Sequence, residues 1–135
     1  MLEAAQEVLR TYKAFAVVGV SREPEKYGHE VFATLLSGGY LTYPVNPKYD
    51  EVDGHPCYPA LNALPGRPDV IVLALAPAVT ERLVPDAIST GAEVIWLPPG
   101  CFTPAAVAAC QSAGVRVLHD ICPVFALGAL RAASG

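Results

Sequence analysis

Short runs of apolar residues recur along the chain, and stretches with helical spacing lie between them. Residues 15–18 form the first run, which ends at Gly19 in a polar turn, and a helical pattern resumes after Gly28. A run that is apolar at every position is typical of a strand buried on both faces of a sheet. The pattern therefore predicts a strand, a turn and a helix in this order.

The order of helix, glycine and apolar strand occurs three times along the chain. The glycines favour the left-handed backbone that ends many helices. The predicted strands after them cover residues 41–45, 93–97 and 115–118, and another strand at 70–76 follows a loop and a short helix near 60–64. This alternation is typical of parallel βαβ units. We expect an α/β fold: a single Rossmann-like domain with a five-stranded parallel sheet and helices on both faces.

Right-handed crossovers leave two strand orders for these five strands. The Rossmann-like order 3-2-1-4-5 is our first expectation, and a flavodoxin-like order is the second. We expect one domain over residues 1–135, with an N-terminal helix at 2–12, a core at 13–122 and a C-terminal helix at 123–133. A chain of this length buries roughly two-thirds of its unfolded surface, so neither a disulfide nor a metal is needed to stabilise the fold.

Composition and charge exclude several classes of partner. Hydrophobic residues make up 53% of the chain and charged residues 16%, as expected when helices cover both faces of a sheet. With 9 basic and 13 acidic residues, the net charge of −4 supplies no broad positive field for nucleic acid or an anionic membrane. Residues 1–12 fit neither a signal peptide nor a membrane span, so we expect a cytoplasmic protein. A protein partner or a homo-oligomer remains open.

The cysteines are scattered and form no C-x-x-C pair. They are Cys57, Cys101, Cys110 and Cys122. This spacing argues against a zinc ribbon, a thioredoxin-type site and a disulfide framework. We therefore expect no metal, and reduced thiols that are mostly buried.

Parallel strands bring their carboxyl ends to one edge of the sheet, where open α/β sheets bind ligands. The turns that meet there are Val20-Ser21-Arg22, Asn46-Pro47-Lys48, Ala76-Pro77-Ala78, Leu97-Pro98-Pro99-Gly100 and His119-Asp120. Gly19 and Gly28 around the first turn do not reproduce the G-x-G-x-x-G fingerprint of dinucleotide enzymes. Helix N-terminal amides after this turn would still face phosphates. The turn is a candidate phosphate site, with a plain βα turn as the alternative.

A lysine follows the second predicted strand, where an NAD-specific enzyme would place an acidic residue. A cation there suits a ribose that carries an additional phosphate, as in NADP and coenzyme A, and Lys48 supplies it. Arg22 and Lys26 in the first turn could neutralise a pyrophosphate. The alternative is that Lys48 is a solvated loop residue paired with Asp50 or Glu51.

Prolines follow two other predicted strands. Pro77 follows one and Pro98-Pro99 the next, and proline fixes φ and removes a backbone donor. These turns are therefore stiff, with apolar faces and exposed carbonyls. A slot of this kind can receive an adenine ring or a pantetheine arm, although ordinary βα loops have the same composition.

Several segments together resemble a known family. They are VVGVSREPEKYG, YPVNPKYDEVDGHPCYPAL, PDVIVLALAP, GAEVIWLPPG and GVRVLHDICP. In this order they resemble stand-alone CoA-binding-domain proteins, which are similar to the nucleotide-binding N-terminal domain of the succinyl-CoA synthetase alpha subunit. The resemblance covers roughly residues 10–128.

The resemblance implies coenzyme A (CoA) as the ligand and assigns roles to particular turns. Val20, Ser21 and Arg22 would contact its phosphates, and Lys48 its phosphorylated ADP portion. Two further segments would line the slot, namely Ala76-Pro77 and Leu97-Pro98-Pro99. The chain departs from the synthetase pattern in two turns: S-R-E-P-E-K replaces the glycine-rich turn, and Pro99-Gly100 replaces Glu-Gly.

We expect binding without catalysis. The phosphohistidine domain and ATP-using partner of the synthetase have no counterpart in these 135 residues. The only cluster with nucleophilic potential consists of His119, Asp120 and Cys122, and its spacing in a loop does not direct a base to the sulfur. The alternatives are an NADP(H)-binding oxidoreductase or a regulatory module with a degenerate nucleotide site. A mixed disulfide between CoA and Cys101 or Cys122, and a phosphate contact from His29, are further hypotheses.

Overall fold

The computed structural model describes residues 1–134. Its elements are α1 (Leu2–Thr11), β1 (Ala14–Val18), α2 (Tyr27–Ser37), β2 (Leu41–Val45), β3 (Glu51–Val52), β4 (His55–Pro56), the 3₁₀ turn η1 (Leu61–Ala63), β5 (Val70–Leu73), α3 (Pro77–Ser89), β6 (Val94–Leu97), α4 (Pro104–Ser112), β7 (Arg116–His119) and α5 (Pro123–Ser134). The helices and the main strands lie close to their predicted positions. The short β3–β4 hairpin was not predicted.

The main sheet has five parallel strands in the order β2-β1-β5-β6-β7. The predicted five-stranded parallel sheet is thus confirmed. The first expectation for strand order is wrong, because the third main strand, β5, pairs with β1 rather than with β2. The sheet has the flavodoxin-like order, which was the second expectation.

The connection from β2 to β5 explains this order. It contains no α-helix, and Leu61 of η1 packs in the same core cluster as α3 and α4, whereas α2 packs on the other face of the sheet. The chain reverses its direction across the sheet after β2, so a right-handed crossover must then use the opposite face. Strand β5 therefore pairs on the far side of β1.

Helices cover both faces of the sheet. One core cluster joins β1 to α1, α2 and α5, and the other joins it to α3 and α4. Successive strand residues alternate between these clusters, so Phe15 packs on the first face and Ala16 on the second. Trp96, predicted to be in the core, is fully buried, and its indole N–H donates to the Ile121 carbonyl at 2.8 Å. Within residues 1–134, no helix has the length and apolar character required to cross a bilayer.

Two glycines bring α2 into main-chain contact with the turn after β1. Gly19 has φ of +94°, and a Cβ there would lie 2.4 Å from the Ala74 carbonyl oxygen. A Cβ on Gly28, in the first turn of α2, would lie 2.1 Å from the Gly19 carbonyl oxygen. No larger residue fits at either position without a shift of the backbone. The N-terminus of α2 is therefore held directly over the end of β1.

We predict that Gly28→Ala lowers the free energy of unfolding by about 1–3 kcal/mol, because the added methyl group overlaps main-chain atoms. Urea denaturation measures this difference. Gly128→Ala is the matched control: it lies in α5 with no atom within 4 Å of the added Cβ, so it should raise stability by about 0.5–1 kcal/mol. Equal stability of Gly28→Ala and the wild type would contradict the proposed close contact.

Candidate functional site

The candidate site lies at the carboxyl ends of β1, β2 and β5. The chain leaves β1 toward α2 on one face and leaves β5 toward α3 on the other, so the crevice of a doubly wound sheet opens between these two strands. The turn after β1 contributes Arg22, and the turn after β2 contributes Lys48. The structure thus brings together the two turns for which phosphate contacts were predicted.

Asn46 joins these two turns. Its side-chain amide donates to the Val20 carbonyl at 2.9 Å, and its Oδ1 accepts from the Lys48 amide at 2.9 Å. One side chain therefore holds the lysine turn at a set distance from the β1 turn. Sequence reasoning named this segment but missed the positioning role of Asn46. The asparagine directly after a buried strand was the available signal.

Tyr49 brings the two cations together. The Arg22 guanidinium lies 4.8 Å from the centre of the Tyr49 ring, and the Lys48 ammonium lies 5.7 Å from the same point. A cation within about 6 Å of an aromatic ring is attracted by its quadrupole. Two solvent-exposed like charges consequently lie at one aromatic ring.

The acidic residues near the site pair with Arg22 rather than with Lys48. The Arg22 side chain donates to the Glu51 carbonyl at 2.8 Å and to Asp50 Oδ1 at 3.3 Å. Asp50 is 99% exposed, so this ion pair contributes little free energy. No ion pair within residues 1–134 includes Lys48. The pairing of Lys48 with Asp50 or Glu51 is therefore not found, whereas its exposed position in a loop agrees with the alternative of a solvated residue.

Three cavities follow one another from this edge. The first, which we call the cationic groove, has a volume of about 500 Å³ and is lined by Arg22, Pro47, Lys48, Tyr49, Asp50, Cys57 and Pro59. The second, the apolar slot, measures about 140 Å³ and shares Pro47 and Pro59 with the groove. The third, the outer groove, measures about 540 Å³ and shares Ala60, Leu61 and Asp86 with the slot. The shared residues make these cavities neighbours along one path.

The other predicted site residues lie at the edge in different environments. Lys26 is exposed at the N-cap of α2, and Ser21 Oγ accepts from the Glu23 amide at 3.0 Å. Val20 and Leu97 are fully buried, so neither of these predicted contact residues offers accessible surface at the edge. None of the three cavities is lined by the predicted wall residues Ala76, Pro77, Leu97, Pro98 and Pro99. Pro47 and Pro59 line the slot and the groove instead.

His29 faces the protein rather than a free phosphate site. It is 8% exposed, and its Nε2 lies 2.7 Å from Asp53 Oδ2 in the turn of the β3–β4 hairpin. The Phe32 ring packs edge-on against both His29 and His55. These contacts attach the hairpin to α2, so the hypothesis of a phosphate contact from His29 gains no support.

Cys122 is hydrogen-bonded to a phenol and not to an imidazole. The Tyr27 hydroxyl donates to Cys122 Sγ at 3.1 Å. Burial, together with the neighbouring Cys122, raises the pKa of Tyr27, so the phenol stays protonated at neutral pH. His119 Nδ1 has no hydrogen-bond partner among the described residues. The centre of its ring lies 5.3 Å from the centre of the Phe102 ring. Among the described residues, His119 therefore forms no hydrogen bond that would let it act as a base on the Cys122 thiol.

The remaining cysteines are buried thiols. Desolvation raises the pKa of Cys57, Cys101 and Cys110, which disfavours the reactive thiolate. All four cysteines are free. In the part of the chain that the structure describes, no group of three His, Cys, Asp or Glu residues could hold a metal ion.

Comparison with known proteins relates this chain to CoA-binding domains. The family described as a CoA binding domain matches residues 13–128. The uncharacterized protein YneT of Bacillus subtilis is 28% identical over 117 residues, or 87% of each chain. A hypothetical protein from Pyrococcus horikoshii superposes with a TM-score of 0.92 at 35% identity, covering 97% of this chain and 92% of that one. The ADP-forming acetate–CoA ligase I of Archaeoglobus fulgidus is 36% identical over 76 residues, which are 56% of this chain and 10% of the ligase.

The strand order and the position of the candidate site define the class of this protein, which is a doubly wound α/β domain with its ligand crevice at the carboxyl ends of the strands. Within that class the chain belongs to the CoA-binding domain family. It is homologous to the CoA-binding domains of ADP-forming acetyl-CoA synthetases, which are related to the succinyl-CoA synthetase alpha subunit. The predicted resemblance is confirmed.

We predict that the native cysteines react with iodoacetamide in an order that follows their burial. Cys122 is the least buried and should react first. Cys110 is fully buried with a raised pKa, so in the folded protein it should react about ten times more slowly than in the urea-unfolded protein. Cys101 and Cys110 share the tryptic peptide of residues 83–116, so fragmentation of the tryptic peptides in tandem mass spectrometry measures each site. Labelling of the slow sites should accelerate as pH rises because their thiolate fraction increases. Rapid labelling of Cys110 in the folded protein would contradict its position in the core.

Proposed function

We propose that this chain binds coenzyme A, free or acylated, at the carboxyl edge of its sheet and performs no covalent chemistry on it. One observation carries the proposal: Arg22 and Lys48 lie at the same aromatic ring in the crevice of a CoA-binding domain. CoA carries a pyrophosphate and a 3′-phosphate, and the cationic groove offers Arg22 and Lys48 to such groups.

The phosphates are assigned by position. The turn after β1 and the N-terminus of α2, which no side chain caps, face the pyrophosphate, and Ser21, Arg22 and Lys26 lie in that turn or at the N-cap. Lys48 then faces the 3′-phosphate of the ribose, because it follows β2 at the place where a ribose-recognising residue lies in such sheets. The Arg22–Asp50 pair is exposed and weak, so a phosphate can displace the carboxylate.

The pantetheine arm extends from the pyrophosphate along the ends of β5 and β6. Ala76-Pro77 and Pro98-Pro99 follow these strands outside the three cavities, and the exposed residues of these stiff turns offer a surface along which the arm can lie. The absence of a base beside Cys122 and the protonated Tyr27 support binding rather than catalysis. The chain spans about one tenth of the Archaeoglobus ligase, so the ligase reaction is not assigned to it.

We also propose that the protein is cytoplasmic. Its four cysteines are all free, and unpaired thiols are typical of a reducing compartment. A cytoplasmic location is consistent with the supply of CoA that this site requires.

Calorimetric titration with CoA, dephospho-CoA, NADP and NAD tests the proposed ligand. CoA should bind most tightly, followed by dephospho-CoA, because only CoA has both the pantetheine arm and the 3′-phosphate. Tighter binding of NADP than of CoA would favour an NADP(H)-binding oxidoreductase, and no heat with any of the four would favour a regulatory module with a degenerate site.

We predict that Lys48→Ala weakens CoA binding by roughly 1–2 kcal/mol, the usual contribution of a hydrogen bond to a charged group. Dephospho-CoA, which lacks the 3′-phosphate, should lose little affinity. Lys13→Ala is the matched control, because Lys13 also lies over a tyrosine ring, 6.0 Å from the centre of Tyr40, but directly before β1 at the opposite edge. If both ligands weakened equally in Lys48→Ala, the lysine would not contact the 3′-phosphate.

A further inference from the structure

The apolar slot is suited to a planar ring rather than to a phosphate. Val18 and Val45, at the ends of β1 and β2, line it together with Leu61 of η1 and Leu83 of α3. Asp86 of α3 is the only charged residue in its lining. An apolar cavity with one carboxylate repels phosphate and favours an uncharged ring.

The slot opens beside the phosphate-binding residues. Pro47 and Pro59 line both the slot and the cationic groove, and Lys48 is the next residue after Pro47. If a nucleotide places its ribose phosphate at Lys48, as in the proposed function, its base lies next to the slot. The order of groups along the path is therefore phosphate, ribose and base.

Asp86 is exposed on α3 and lines both the slot and the outer groove, so it lies where these two cavities meet. Its carboxylate has no hydrogen bond or ion pair within residues 1–134. An ionised carboxylate only accepts hydrogen bonds, so its complement on a base is an N–H donor. Adenine presents such a donor in its 6-amino group.

We propose that the apolar slot binds the adenine ring of CoA and that Asp86 accepts a hydrogen bond from the adenine 6-amino group. This inference rests on the proposed function and adds the residue that determines base specificity. A base without a free 6-amino group cannot donate this hydrogen bond, so it binds less tightly than adenine does.

The probe for this proposal is 1,N6-etheno-CoA, in which the 6-amino nitrogen is closed into a ring while the phosphates and the pantetheine arm are unchanged. We expect the wild type to bind CoA about ten times more tightly than etheno-CoA, and Asp86→Ala to bind the two about equally. Asp86→Asn retains an acceptor oxygen and should keep part of the preference. Glu81→Gln, on the same helix but outside the slot, should keep all of it.

A second variant tests the position of the ring. Ala60 lines the slot, is exposed, and has an extended backbone with φ of −158°, so Ala60→Trp should fold normally while its side chain obstructs the slot. Both CoA and etheno-CoA should then bind at least ten times more weakly, with an unchanged unfolding midpoint in the absence of ligand.

The outcomes separate the two proposals. Failure of the wild type to bind CoA would overturn the proposed function. If the wild type binds CoA but does not distinguish it from etheno-CoA, or if Asp86→Ala keeps the full preference, the role of Asp86 is wrong and the proposed function stands. Wild-type affinity in Ala60→Trp would show that the base lies outside the slot.

Discussion

The main-chain contact between Gly28 and Gly19 is the constraint on which the site depends. It places the first turn of α2 against the end of β1, at distances that no side chain permits. The hairpin is attached to the same helix through His29 and Asp53, and its acidic residues reach Arg22. The helix N-terminus, the hairpin and the arginine thus take their positions from one close packing contact.

Local charge, not net charge, determines what the crevice can hold. The protein is acidic overall, with a net charge of −4, but Lys48 and Arg22 are concentrated at one ring. The carboxylates of the hairpin compensate Arg22 and leave Lys48 unpaired within the described residues. The two cations therefore differ: one is a solvent-exposed charge without a partner, and the other is already part of a hydrogen-bonded network.

The sequence was sufficient to predict the helices and the five main strands, and to predict that Lys48 lies at the carboxyl edge of the sheet. Strands such as Val70–Leu73 are apolar because they are buried on both faces, and Lys48 lies in the turn after the edge strand β2. Strand order could not be predicted, because both orders share the same local pattern and differ only in the face on which Leu61 packs. The hairpin strands have two residues each, too few to show a period. Asn46 forms hydrogen bonds between two turns, and Asp86 lines cavities between separate elements, relations that no local pattern contains.

The contact between Arg22 and the hairpin has a consequence for exchange kinetics. The Glu51 carbonyl and the Asp50 carboxylate accept hydrogen bonds from two of the five guanidinium N–H groups, so an anion that approaches these two donors competes with an internal acceptor as well as with water. The internal acceptor remains tethered nearby at a high effective concentration and re-forms its bond when the anion departs. The hairpin is thus a competitor within the molecule, which weakens retention at Arg22 and accelerates ligand release.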